Sequence, residues 1–302
     1  MQTLDSKAFD RARRFMLDHG RPLDRARFLF GFQGGPAEDV RQALSAYRNE
    51  DGGFGRGLEP DFQLPASSPM ATSHAFHALR EIGADDGDPL VAGAIRYLVA
   101  QVDPVRKGWR DVPPEVNDFA HAPWWQRDAS GTSDPDFDWG NPDADIVAAL
   151  HEHTALVPAA LLDDMTRTAL DRLAATPAPC PRYVALCYLR LADAAPAAVR
   201  ATIVERLRTD ARSIVDLDAG DMQSWWLASS PDSPLADRLQ PELDANLDRE
   251  IARQHADGYW EPRWTWGGAY PEAWQRARAE LRGSETLRTL LALRAWGRIE
   301  GV

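Results

Sequence analysis

Apolar residues recur three and four positions apart along almost the whole chain, in Ala-Leu-rich segments, while β-type alternation is nearly absent. The pattern predicts an all-α protein with helices near 5–18, 37–49, 69–83, 88–101, 143–155, 158–175, 181–193, 196–211, 235–254, 271–281 and 284–298. Ser68-Pro69 and Asn141-Pro142 each set a capping side chain before a proline at the first helical position, and Ser284 is placed to cap the last helix. Four stretches escape the period, at 50–68, 102–142, 212–232 and 255–270. Loops of that length are uncommon unless they carry function or fold over something. They hold nine of the eleven tryptophans, among them Trp109, Trp124, Trp125, Trp260 and Trp264. A tryptophan buries a large area and must also place its N–H, so these loops read as aromatic-walled packing between helix ends. No linker-like stretch divides the chain, and one continuous domain over 1–302 is expected.

One turn recurs. Arg48-Asn49-Glu50-Asp51-Gly52-Gly53-Phe54 and Gln254-His255-Ala256-Asp257-Gly258-Tyr259-Trp260 share Asp-Gly at one register and an aromatic residue two positions on. A looser copy follows Gln101, where Gly108-Trp109 come later than strict spacing allows. Recurrence of one supersecondary unit marks an architecture in which each unit buries its apolar face on the next. Asp51 and Asp257 read as turn residues within it.

These letters, Asn49-Glu50-Asp51-Gly52-Gly53-Phe54-Gly55 followed by Ser68-Pro69-Met70-Ala71-Thr72-Ser73-His74-Ala75, then Gln254 to Trp260 and Ser284 to Leu293, resemble the α/α toroid of protein prenyltransferase β-subunits and squalene-type terpenoid cyclases. Arg48 stands where that superfamily has Gln; Gln254 keeps it. Within the superfamily the chain is similar to short bacterial prenyltransferase/squalene-oxidase-repeat proteins. The resemblance implies a single α/α toroid, a barrel of helix hairpins with long aromatic-rich loops, and a hydrophobic small molecule as partner. It carries fold further than activity.

Composition narrows the partners. The chain has 34 basic and 46 acidic residues, a net charge of −12, which repels nucleic acid and anionic membranes. Mean hydropathy is −0.43, and no apolar run approaches the ~20 residues of a membrane helix. Met1 to Met16 contains no apolar core of a secretory signal, and a cytoplasmic protein is expected. Cys180 and Cys187 lie about 10 Å apart along one helix, too far for a disulfide, on an apolar stripe that makes them buried thiols.

Three segments carry candidate chemistry. In Asn141-Pro142-Asp143-Ala144-Asp145-Ile146 the two acids match the start of the Asp-x-Asp-Asp motif of class II cyclases, and the resemblance gives Asp145 the proton-donor place. Ile146 replaces the last acid, and a helix N-terminus favours the ionised form, so ordinary first-turn acids are the alternative. Glu59 and Asp61 lie in a proline-broken loop directly after the first turn, as an acid pair or as residues tied down by backbone bonds. Val112 to Trp125 gathers Glu115, Asp118, His121, Trp124 and Trp125 in an aperiodic loop, a binding pocket or an ordered plug.

Metal binding reads weakly. His151 and His153 point apart on a helix, His74 and His77 share a face without an adjacent third ligand, and Asp216 to Asp221 lacks the later bidentate Glu of a calcium loop. No cofactor is implied. Three functions stay open: a small isoprenoid cyclase using Asp145, a carbohydrate-active (α/α) barrel using acid pairs, and a non-catalytic binding or scaffolding toroid. The shortness of the chain argues against a full two-barrel cyclase.

Overall fold

The computed structural model describes residues 1–128, 139–215 and 223–302. Among these residues all regular structure is helical and the β-contacts are isolated bridges. No helix among them is long and apolar enough to cross a membrane. The acidic run 216–221 lies outside the described residues. The chain divides into two units, one formed by 1–43 with 211–302 and the other by 44–210.

In the first unit, α1 (Ser6–His19), α2 (Pro22–Gln33) and α12 (Pro271–Ala295) pack on one another. α10 (Ser224–Leu227) packs on α11 (Ala236–Ala252). The chain ends meet: Leu4 donates to the Arg298 carbonyl at 2.8 Å and accepts from Glu300 at 3.0 Å. Two expectations need correction here. The periodicity gives no sign of α2, because its run Phe28-Leu29-Phe30-Gly31-Phe32 is apolar all round and shows no one-face period. The two terminal helices expected at 271–281 and 284–298 are one helix. Ser284 does not cap it; its hydroxyl bonds back to the Leu281 carbonyl at 3.1 Å, satisfying the side chain inside the helix.

The second unit contains α4 (Pro69–Glu81), α5 (Pro89–Ala100), α6 (Asp143–Glu152), α7 (Ala159–Ala175) and α8 (Arg182–Ala194). α3 (Ala37–Ser45) and α9 (Ala197–Ile214) run across the two unit boundaries. Starts are chemically defined where the sequence offers an acceptor: Ser68 accepts from Ala71 at 3.0 Å and Asp88 from Leu90 at 2.9 Å, each before a proline. Asn141 does not cap α6; its amide oxygen accepts instead from the Cys187 thiol at 3.5 Å. α6 packs on α4, α5, α7 and α8, and every residue from Asp143 to Leu150 is buried. Two carboxylates are thereby taken out of water, and each needs partners.

The repeated turn is a three-point staple. At the first copy Asn49 donates to Gly53 (2.9 Å), Gly52 donates to Asn49 (3.1 Å), and the Phe54 amide donates to the Thr72 hydroxyl on α4 (3.0 Å). At the second copy His255 donates to Tyr259 (2.8 Å), Gly258 to His255 (2.8 Å), and the Trp260 amide to Thr286 on α12 (3.1 Å). Gly52 and Gly258 sit at φ 92° and 99°. A side chain at Gly52 would meet the Gly93 carbonyl on α5, and one at Gly258 would meet the Arg11 backbone on α1. Only glycine answers both demands.

The looser third copy is a full staple. Asp103 donates to Gly108 at 2.8 Å, and the Trp109 amide donates to Asp143 Oδ1 on α6 at 2.8 Å. Its turn is one residue longer, and Lys107, at φ 54°, holds the left-handed place that glycine holds in the others.

Candidate functional site

Asp145, in the first turn of the buried helix α6, is reached by three donors from two neighbouring helices of its unit. His77 Nε2 lies 2.8 Å from Oδ2, Arg80 Nη1 3.0 Å from Oδ1, and Arg190 Nη1 of α8 2.8 Å from Oδ2. The Asp145 side chain is 2% exposed, while those of His77, Arg80 and Arg190 are 24%, 25% and 32% exposed. The anion is therefore shielded, while its three partners reach partly into solvent. Arg80 also holds Glu152 through Nε at 2.7 Å. Beside it His74 pairs with Glu59 at 2.8 Å, its ring 5.1 Å from that of His77.

Burial alone pushes the Asp145 carboxyl up, but Arg190, Arg80 and then His77 outweigh it and hold the group well below the usual carboxylate range. The surroundings thus favour the ionised form of Asp145, because each neighbour stabilises its anion, and they lend no support to the proton-donor place that the resemblance gives it. An ionised carboxylate only accepts, so His77 carries its proton on Nε2 and leaves Nδ1 as an acceptor. Burial, then the Arg190 charge, lower the His77 pKa well below its ordinary value despite Asp145, so the ring is neutral. One donor is left over: Arg80 Nη2 is shut off from solvent without a protein partner.

Asp143 does other work. Its side chain is 0% exposed, and it accepts from the Trp109 amide, from Arg106 Nη2 at 3.1 Å and from the Gly140 amide at 3.3 Å. Burial pushes its acidity up, with Arg106 and the Trp109 amide pulling the other way. Asp143 is the staple acceptor of the third turn.

The central loop is tied down by hydrogen bonds. His121 Nδ1 donates to the Phe119 carbonyl at 2.6 Å, and its other nitrogen meets Gln126 at 3.0 Å. The loop lies against residues 61–63, with Gln63 donating to Ala120 (2.8 Å) and Ala122 to Asp61 (2.7 Å). Trp125 is buried edge-on against Phe62 at 5.2 Å, Trp124 is half-buried beside it in sequence, and a buried Arg127–Asp111 pair at 2.7 Å closes the segment. Glu115 and Asp118 are exposed on a 3-10 turn, Pro114–Asp118.

Glu59 and Asp61 do not face each other as two free acids, since Glu59 also accepts from the Asp61 amide at 3.2 Å. Trp260 is buried with its indole donating to the Glu250 carbonyl at 2.7 Å, and Trp264 is half-buried in the other unit's loop. The thiols are free and buried, with burial pushing Cys180 up to about 11 and Cys187 up to about 12. Among the described residues no three His, Cys, Asp or Glu side chains gather in a metal-ligating group.

Among the described acids that the sequence marks, Asp145 gathers His77, Arg80 and Arg190, with Glu152 on Arg80, a set that the sequence reading does not bring together. A signal exists for the α4 half. His74, His77 and Arg80 recur every third residue and are the polar breaks in a helix otherwise buried from Pro69 to Leu79. Arg190 carries no such mark. In comparisons with known proteins, no family model and no curated protein matches this chain.

Proposed function

We propose that the chain is a ligand-binding α/α toroid whose recognition centre is the Asp145 cluster, and that its ligand is a small polar molecule offering oxygen acceptors. Three staples of one design support the toroid, because each ties a helix-ending turn to a later helix of its unit. The part-exposed guanidiniums of Arg80 and Arg190, both bound to a shielded carboxylate, carry the ligand assignment. A carboxylate or a polyol hydroxyl gives their remaining donors an acceptor, whereas a hydrocarbon does not. The isoprenoid-cyclase reading needs a neutral acid at position 145, and the cations around that carboxylate oppose one.

The test is a melting-temperature panel on the full chain, setting small carboxylates and polyols against isoprenoid hydrocarbons. Polar compounds are expected to raise the melting temperature, with affinity falling about tenfold in Arg190→Gln, the loss of one charge-assisted hydrogen bond. Conversion of an isoprenoid that Asp145→Asn abolishes would refute the assignment.

A second reading rests on His77. A neutral imidazole oriented by a carboxylate is the geometry of a general base. On that reading His77→Gln retains binding and loses turnover of the bound ligand.

A further inference from the structure

A second site lies in the other unit and is independent of the Asp145 cluster. An open cavity of about 640 Å³ is bounded by α1, the 255–260 turn and the middle of α12. Its volume falls within the range of small-molecule sites, roughly 300–1,000 Å³. Three arginines from two helices line it, Arg11, Arg14 and Arg282, together with Tyr259 and the acids Asp18 and Asp257. In a chain of net charge −12, three guanidiniums around one cavity run against the overall field.

The three are held in different ways. Arg282 is fixed, lying 4.5 Å over the Tyr259 ring and donating to Glu261 at 2.6 Å. Arg11 spends one nitrogen on Gln254 at 3.2 Å, while its Nε is shut off from solvent with no partner. Arg14, one helical turn from Arg11, is exposed and makes no hydrogen bond or ion pair within the described residues. Of the two acids, Asp257 faces His255 at 3.4 Å. A preset cation, a second guanidinium partly held by Gln254 and an uncommitted cation around one cavity are what a compact oxyanion requires.

The geometry points to this cavity as a binding site for a compact oxyanion, a phosphate or carboxylate group held by Arg11 and Arg14 with Arg282 behind them.

The test uses the full chain with inorganic phosphate as probe, read by calorimetry and by melting temperature. Phosphate is expected to bind and to raise the melting temperature, and the rise is expected to shrink in Arg14→Gln with affinity falling about tenfold. Arg14→Gln removes no intramolecular bond, so the unliganded melting temperature should hold. Acetate tells a carboxylate site from a phosphate site, and binding of either that depends on Arg14 supports the proposal. Because Arg80 and Arg190 could also attract the probe, Arg190→Gln serves as the second arm. Binding lost in Arg190→Gln but retained in Arg14→Gln overturns the proposal and leaves the Asp145 reading untouched. An equal effect from sodium chloride at matched ionic strength overturns it as well.

Discussion

The turns at 49–54 and 255–260 share a hydrogen-bond skeleton, yet the helices they feed do different things. Counting from the staple acceptor, position two is His74 on α4 and Arg288 on α12, position five is His77 and Leu291, and position eight is Arg80 and Arg294. On α12 the two cations are absorbed by their surroundings. Arg288 lies 4.5 Å over Trp226 and pairs with Glu285 at 3.1 Å, and Arg294 lies 4.6 Å over Phe32 while donating to the Gly31 carbonyl. On α4 positions five and eight, His77 and Arg80, meet a buried carboxylate and leave a donor unmatched, while His74 at position two pairs with Glu59. The third staple extends the pattern, since Asp145 itself stands two residues beyond its acceptor, Asp143. The staple is common architecture, and the helix positions that follow it differ in the side chains they carry.

The comparison breaks most visibly at Asp145. Asp145→Ala strips the anion from two guanidiniums in a shielded site, and denaturant unfolding should show a loss of about 3–5 kcal/mol, the cost of breaking a buried ion pair. Arg288→Ala, at the equivalent place on α12, removes a cation whose side chain is 45% exposed. It should cost about 1 kcal/mol or less, as exposed pairs do. Equal losses would mean that both helices are merely structural.

Acid adds a signature. Because the folded pKa of Asp145 lies below its unfolded value, its contribution is complete above the unfolded carboxylate range and is lost as pH falls through the folded pKa. His77, neutral in the fold, adds a penalty once pH drops below about 6.5, where the unfolded ring charges. Stability of the wild type should therefore fall with pH more steeply than that of an Asp145→Asn, His77→Gln double variant.

Smaller effects sharpen the staple. Thr72→Val and Thr286→Val each leave a buried amide without its acceptor and should cost about 1–3 kcal/mol apiece in denaturant unfolding. A null effect at one turn alone would show that the two are not equivalent. Lys107→Gly relieves the left-handed backbone of the third turn and should stabilise the chain by about 1 kcal/mol.

Periodicity revealed most helices, because their stripes face one way. It missed α2, apolar on every side, and it broke α12 at Gly283-Ser284, where tertiary packing overrides the local stop signal. The two strict turns were legible because their glycines answer a left-handed φ and a close backbone contact at once. The third was obscured by Lys107 in glycine's place and one added residue. At the site, Asp143 and Asp145 stood out as acids in an apolar helix, yet nothing local separates the staple acceptor from the clamped anion. That difference comes from Trp109, Arg80 and Arg190, which lie tens of residues away.

The central claim is that Asp145 is a permanent anion held by His77, Arg80 and Arg190. Carbon-detected NMR of the Asp145 side-chain carboxyl through a pH titration measures this directly. The carboxyl should remain ionised at neutral pH and titrate below the ordinary aspartate value of about 3.9, or only with acid unfolding. A carboxyl that titrates near or above neutrality would contradict the account and restore Asp145 as a proton donor.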